Sequence, residues 1–141
     1  MGYQKVLMPV SGKYRLERAA RALDHALQLV REDGEIGFLH CVEEMTYLIT
    51  GTEQRTLVME DTSEAEKLLG PLVARVRNAG VACGVHIVEG SPVTHIPRFA
   101  AERKFHIVVM STDSADPGKL AIGSIAERVF QYLKVPLLVV H

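Results

Sequence analysis

Short apolar runs that alternate with stretches of helical periodicity constrain this chain more than any other feature of it. Lys5-Val6-Leu7-Met8-Pro9-Val10 is apolar without alternation and closes on Ser11-Gly12, as a strand buried on both faces does. Directly after it Leu16, Ala19, Ala20, Leu23, Ala26, Leu27 and Val30 return at helical spacing, with Arg15, Glu17, Arg18, Arg21 and Asp24 covering the opposite, solvent side. Glu35 to Val42 reads as a second strand, ended by Glu43-Glu44. Met45 to Met59 holds no period and reads as a long loop, the kind of segment where binding surfaces concentrate.

The same alternation continues to the end of the chain. Asp61 to Asn78 carries a helical stripe of Ala65, Leu68, Leu69, Leu72, Val73 and Val76, which Pro71 is expected to kink or break and Asn78-Ala79-Gly80 to stop. Val81 to Val88 is a third strand. Ser91 as N-cap and Pro92 at the first helical position open a helix toward Lys104, with Pro97 in its second turn. Phe105 to Met110 is the fourth strand, followed by loop formers from Ser111 to Gly118. Ile122, Ile125, Ala126, Val129, Phe130 and Leu133 mark a last helix, and Val135 to Val140 a last strand with Pro136 at its start.

Strands joined through helices of this length pair in parallel with right-handed crossovers, which predicts an open α/β sheet covered on both faces. A chain of 141 residues suffices for one such core, so a single domain over 1–141 is expected. Ligands of these sheets bind beyond the carboxyl ends of the strands, where the strand order reverses. That rim holds Pro9 to Lys13, Val42 to Glu44, Glu89 to Ser91 and Ser111 to Ser124.

Charge narrows the function. Sixteen Lys and Arg against seventeen Asp and Glu, a formal charge of -1, do not make a surface that coats nucleic acid. No apolar run approaches the ~20 residues of a membrane span, and the first residues lack a signal-peptide layout, so a cytoplasmic protein with no membrane or nucleic-acid partner is expected. Cys41 and Cys83 lie in apolar runs without a CxxC pair and read as buried free thiols.

The stretch from Ser111 to Ser124 is the most informative chemically. It ends in Gly123-Ser124 at a helix start, where free amides and the positive helix end can hold an anion, and Gly118 and Gly123 allow close backbone approach. Asp113 and Asp116 oppose an anion there, Lys119 offsets one of them, and a solvated loop ending in a helix cap accounts for the same residues. Ser11-Gly12-Lys13 is not a P-loop: Leu7 stands where its first glycine belongs, and Tyr14 replaces the magnesium-binding hydroxyl. His25, His40, His86, His95, His106 and His141 form no metal spacing, and those in strands read as packed imidazoles. Glu43 and Glu44 point to opposite sides of an extended segment. No nucleophile has an identifiable base, so no catalytic residue and no metal ligand is assigned.

Several segments together resemble the universal stress protein family, over essentially the whole chain. They are Val6-Leu7-Met8-Pro9-Val10, Leu39-His40-Cys41-Val42, Gly90-Ser91-Pro92, and the stretch from Ile107-Val108-Val109-Met110 through Ile122-Gly123-Ser124-Ile125-Ala126 to Val135-Pro136-Leu137-Leu138-Val139-Val140. The resemblance implies a five-stranded sheet in the order 3-2-1-4-5, like that of the adenine-nucleotide alpha-hydrolases. It also implies a stress-response role and a homodimer, formed by pairing Val135 to Val140 across a two-fold axis. An exposed edge strand needs such cover on physical grounds too.

The family contains members that bind ATP and members that do not, and this chain departs from the ATP-binding pattern. Ser11 stands where those members carry an aspartate that holds the adenosine half. Their loop runs glycine, two residues, glycine, nine residues, glycine and then serine or threonine; here Ser111 and Ser114 replace the first two glycines and eight residues separate Ser114 from Gly123. Gly123-Ser124 is retained. The resemblance thus implies a nucleotide site built from Pro9, Val10, Ser11, Val42, Ser111, Ser114, Gly118, Gly123 and Ser124, in degenerate form. Two readings stand: a non-enzymatic homodimer with a weak or degenerate site, working through protein partners, or an ATP- or AMP-binding signalling protein with slow ATP hydrolysis.

Overall fold

The structure, a computed structural model, describes residues 2–10, 16–42, 67, 69–112 and 124–141. Strand β1 (Tyr3–Pro9) leads to helix α1 (Leu16–Leu29) and strand β2 (Val30–Val42). Helix α2 over 69–78 precedes β3 (Ala82–Glu89), α3 (Pro92–Glu102), β4 (Ile107–Ser111), α4 (Ser124–Tyr132) and β5 (Leu137–Val140). The strands form one parallel sheet in the order β3-β2-β1-β4-β5. This is the α/β architecture and strand order expected.

Alternation along the strands splits the core in two. Val6, Met8, Ile36, Phe38, Ile107 and Val109 pack under Ala19, Ala22, Leu23 and Ala26 of α1 and Leu69, Leu72 and Val76 of α2. Leu7, Leu39, Val108 and Met110 face the other way, onto Ile96 and Ala100 of α3 and Ala126 and Val129 of α4. Burying each large side chain contributes about 1.5–3 kcal/mol, which is why strands apolar on both faces, rather than alternating, specify a sheet with helices on both sides. Ala22, absent from the expected stripe, is fully buried, whereas Ala20 and Leu27 only border the core.

Boundaries differ where non-local contacts decide them. Val30 completes the helical period but pairs with Tyr3, so β2 begins there and not at Glu35. An irregularity between Tyr3 and Lys5 absorbs the intervening residues. Gly34 makes it possible, because a Cβ at that position would lie 2.6 Å from the Gln4 carbonyl oxygen. His106 precedes β4 rather than lying in it, and its Nδ1 accepts from the Lys5 N–H at 3.1 Å. Helix α2 runs through Pro71 over 69–78, and α3 continues past Pro97 to Glu102.

The C-termini of α2 and α3 are built alike. Val81 N–H donates to Val76 O and Gly80 N–H to Arg77 O, a closure that Gly80 permits at φ 77°. At the end of α3, Phe105 N–H donates to Ala100 O and Lys104 N–H to Ala101 O, with Lys104 at φ 57° in the position that favours glycine. Phe105 stacks on Phe99 with ring centroids 5.8 Å apart, supplying the apolar contact that accompanies this motif.

Candidate functional site

A cleft opens at the carboxyl end of the sheet on the α3 and α4 side. Pro9, Val10, Leu39, Cys41, Met110 and Ser111 from three strand ends line it, and Pro92, Ile96 and Ile125 from two helix starts close it. Its cavity volume is about 50 Å³. The cleft sits where the topology reverses: β1 pairs with β2 as far as Pro9 and Leu39, but with β4 only at Val6 and Leu7. Beyond Leu7 and Val108 the two strands part, and the gap lies where open parallel sheets place their ligand crevice.

Val10 is held on both sides of its backbone. Its N–H donates to Leu39 O at 2.9 Å, and its carbonyl accepts from His40 Nδ1 at 2.8 Å. That contact places the neutral ring's proton on Nδ1, so His40, half-buried, acts as a clamp on the cleft wall. Opposite, Ser91 Oγ caps α3 by accepting from Val93 N–H at 3.2 Å, and Pro92 occupies the first turn. The preceding Gly90, at φ 125°, donates its N–H to Val42 O at 2.9 Å. His95 Nε2–H donates back to Glu89 O at 2.8 Å, and a Cβ at Gly90 would lie 2.7 Å from that nitrogen. The β3–α3 turn is thereby rigid.

Among the described residues the lining is apolar apart from Ser111 and the Cys41 thiol, whose pKa burial pushes up to about 11. Cys41 and Cys83 are free and half-buried, rather than fully buried. The first turns of α3 and α4 supply Pro92 and Ile125 to the lining, which brings the positive ends of both helices close to the cleft. Arg18, expected on the solvent face of α1, instead turns inward: Nη1 donates to Thr112 O at 3.1 Å, one residue past Ser111.

Of the residues expected in the site, the structure brings Pro9, Val10 and Ser111 together in the cleft wall. Val42 ends β2 as a buried residue whose carbonyl receives Gly90, outside the lining. Ser124 begins α4. Ser11, Ser114, Gly118 and Gly123 lie outside the described residues, as does the Met45 to Met59 stretch. Sequence reasoning missed Leu39, Cys41, Met110, Pro92, Ile96 and Ile125. The signal for the α3 wall was present in Ser91-Pro92, since a helix capped at the rim must turn its first apolar residues, Pro92 and Ile96, toward the sheet end.

Comparison with known proteins agrees with this architecture. A sequence model of the universal stress protein family matches residues 2–141. A universal stress protein of Methanocaldococcus jannaschii is 25% identical over 142 aligned positions, covering 98% of this chain and 82% of that protein. Among solved structures, UspA from Lactobacillus plantarum superposes with a TM-score of 0.80 at 18% identity, covering 100% of this chain and 99% of that one. The universal stress protein from Archaeoglobus fulgidus in complex with dAMP gives 0.73 at 22% identity, covering 100% of both. A parallel α/β sheet with its cleft at the switch point defines the class, and the chain belongs to the universal stress protein family.

Proposed function

We propose that this protein is a non-enzymatic stress-response protein that acts as a homodimer and carries a weak adenine-nucleotide site, with ATP or AMP as the ligand. The observation that carries the reading is the apolar cleft between the diverging ends of β1 and β4, with helix starts at its mouth. Apolar walls suit a base, and helix ends suit phosphate. The dAMP held by the Archaeoglobus fulgidus relative supports an adenine nucleotide as the class of ligand.

Weak affinity follows from the replaced residues. Ser111 brings a side chain where ATP-binding members have glycine, and Ser11 lacks the carboxylate for the adenosine half. Among the described residues the lining offers no acid–base pair, and the ionisable group among them, Cys41, stays protonated at neutral pH.

For the dimer, β5 is an edge of the sheet with half-buried Leu137, Leu138 and Val139, and a second copy paired along it would cover both its backbone and these side chains. Sedimentation at micromolar concentration is expected to give a dimer, and a monomer refutes the pairing. Calorimetric titration of nucleotide-stripped protein with ATP, with and without magnesium, tests the site. The expected Kd is roughly 0.1–1 mM, or about -5.5 to -4 kcal/mol. Absence of binding at about 10 mM refutes the site, and steady release of ADP refutes the non-enzymatic reading in favour of slow hydrolysis.

A further inference from the structure

We propose that His40 is a positioning residue of the cleft: by holding the Val10 carbonyl with its side chain it ends the ladder between β1 and β2 one rung early and leaves the Cys41 N–H open to the ligand. The inference rests on the reading of the cleft as a nucleotide site. Side chains alternate along β2, so Leu39 and Cys41 line the cleft while His40 lies on the opposite face of the sheet, the one that carries α1. The backbone alternates as well, each residue of a parallel strand turning its N–H and C=O to one side and the next residue to the other. Leu39 turns to β1, where its carbonyl accepts the Val10 N–H at 2.9 Å, and Val42 turns to β3, where its carbonyl accepts the Gly90 N–H at 2.9 Å. Cys41 therefore turns to the end of β1.

The next rung of that ladder would run from the Cys41 N–H to the Val10 carbonyl. That carbonyl instead accepts from His40 Nδ1 at 2.8 Å, and among the described residues the Cys41 N–H has no partner. His40 approaches from the α1 face, so its hydrogen bond draws the carbonyl out of the plane of the sheet and away from Cys41. Val10 is buried and its N–H stays on Leu39, so the carbonyl alone is diverted. The freed amide belongs to a lining residue, and the cleft spans the end of β1 from Cys41 on one side to Ser111 on the other. A donor left without a partner among apolar side chains favours a ligand that brings an acceptor.

The test follows backbone amides by NMR in the nucleotide-free full chain, for the wild type, His40→Leu and His40→Asn, the last of which keeps an N–H donor close to the Nδ1 position. In the wild type the Cys41 amide is expected to exchange with solvent at least ~10-fold faster than those of Gly37 and Leu39, which lie in the ladder, and to shift when AMP or adenosine is added. In His40→Leu it closes onto Val10: its exchange slows roughly 10-fold, and AMP and adenosine weaken alike by roughly 3- to 10-fold, the effect of one hydrogen bond. His40→Asn is expected to behave as the wild type. Protection of the Cys41 amide in the free wild type, or exchange unchanged by His40→Leu, overturns the role of His40 whether or not nucleotide binds. A loss of affinity that His40→Asn does not restore marks a packing effect and overturns it too. An open Cys41 amide that neither ligand shifts at about 10 mM overturns the cleft reading and the use of this amide by a ligand, while exchange in His40→Leu still reads the His40 contact. If His40→Leu does not fold, the other two chains decide: a Cys41 amide as protected as that of Leu39 in either one refutes the inference.

Discussion

Cys41 offers the most direct chemical view of the cleft. Only the thiolate is nucleophilic, and burial raises the Cys41 pKa from 9.0 to about 11. At neutral pH that leaves ~100-fold less thiolate than in an exposed cysteine, so alkylation by iodoacetamide is expected to be at least ~100-fold slower. The rate should climb about tenfold per pH unit and continue toward pH 11 without levelling near 9. Cys83 is the internal control: burial raises its pKa as well, but Arg77 pulls it back, and it alkylates first. Timed alkylation of the full chain followed by peptide mapping reads both rates in one sample. Because Cys41 lines the cleft, saturating ATP should slow its modification further and leave Cys83 unaffected. Equal rates for the two thiols, or a Cys41 profile that levels near pH 9, would refute the desolvated environment assigned to it. Protection of both thiols alike would refute the placement of the ligand.

Glycine substitutions should act with opposite signs at two positions. Gly37→Ala puts a Cβ 2.8 Å from Phe105 Cζ, a ring held in the core, and is expected to cost about 1–3 kcal/mol in urea unfolding. Gly70→Ala in α2 meets nothing within 4 Å and should stabilise by about 0.5–1 kcal/mol. Lys104→Gly, which relieves the φ of 57° at the end of α3, should raise stability by about 1 kcal/mol in the same assay. The His86 pKa is lowered by burial first and by Arg103 next, with an opposing pull from Glu35 that exceeds the further lowering by Lys5. Below its ordinary value of 6.5 the unfolded chain takes up a proton that the folded state resists, so this contribution is full above that pH and is lost as pH falls. His86→Phe should flatten the loss of stability between about pH 7 and 5, and an unchanged slope would refute the assignment.

The strand and helix alternation was legible because it depends on local periodicity. Val6 to Met8 and Ile107 to Met110 are apolar on both faces, and no arrangement but a sandwiched parallel strand buries them all. The N-cap at Ser91 was legible for the same reason, being a contact between near neighbours. Residues whose roles are set across the fold were not. Val30 continues the helical period of α1, and only pairing with Tyr3 moves it into the sheet. Gly37 looks like any strand glycine until Phe105, remote in sequence, is laid over it. Arg18 belongs by spacing to a solvent face, and only the carbonyl of Thr112 turns it inward. The cleft was legible as a rim, from topology alone, but not as a set of walls, because its α3 side is a helix that follows β3, the strand beyond β2, and packs back over the sheet.

Pro9 accounts for why a cleft exists at all. In β1 the backbone groups alternate sides: Lys5 N–H and C=O both point to His106 before β4, whereas Val10 N–H points to Leu39 of β2. By this alternation the nitrogen of Pro9 faces β4, and it has no hydrogen to donate. The ladder between β1 and β4 accordingly stops at Leu7 and Val108, while that between β1 and β2 runs on to Pro9 and Leu39. Proline is tolerated here because it falls on the side where the strands are already parting, and its ring joins the apolar wall that replaces the lost pairing. One residue thus ends a ladder, opens the crevice and lines it. The cleft is a consequence of how the sheet terminates, and not of any one polar side chain along its rim.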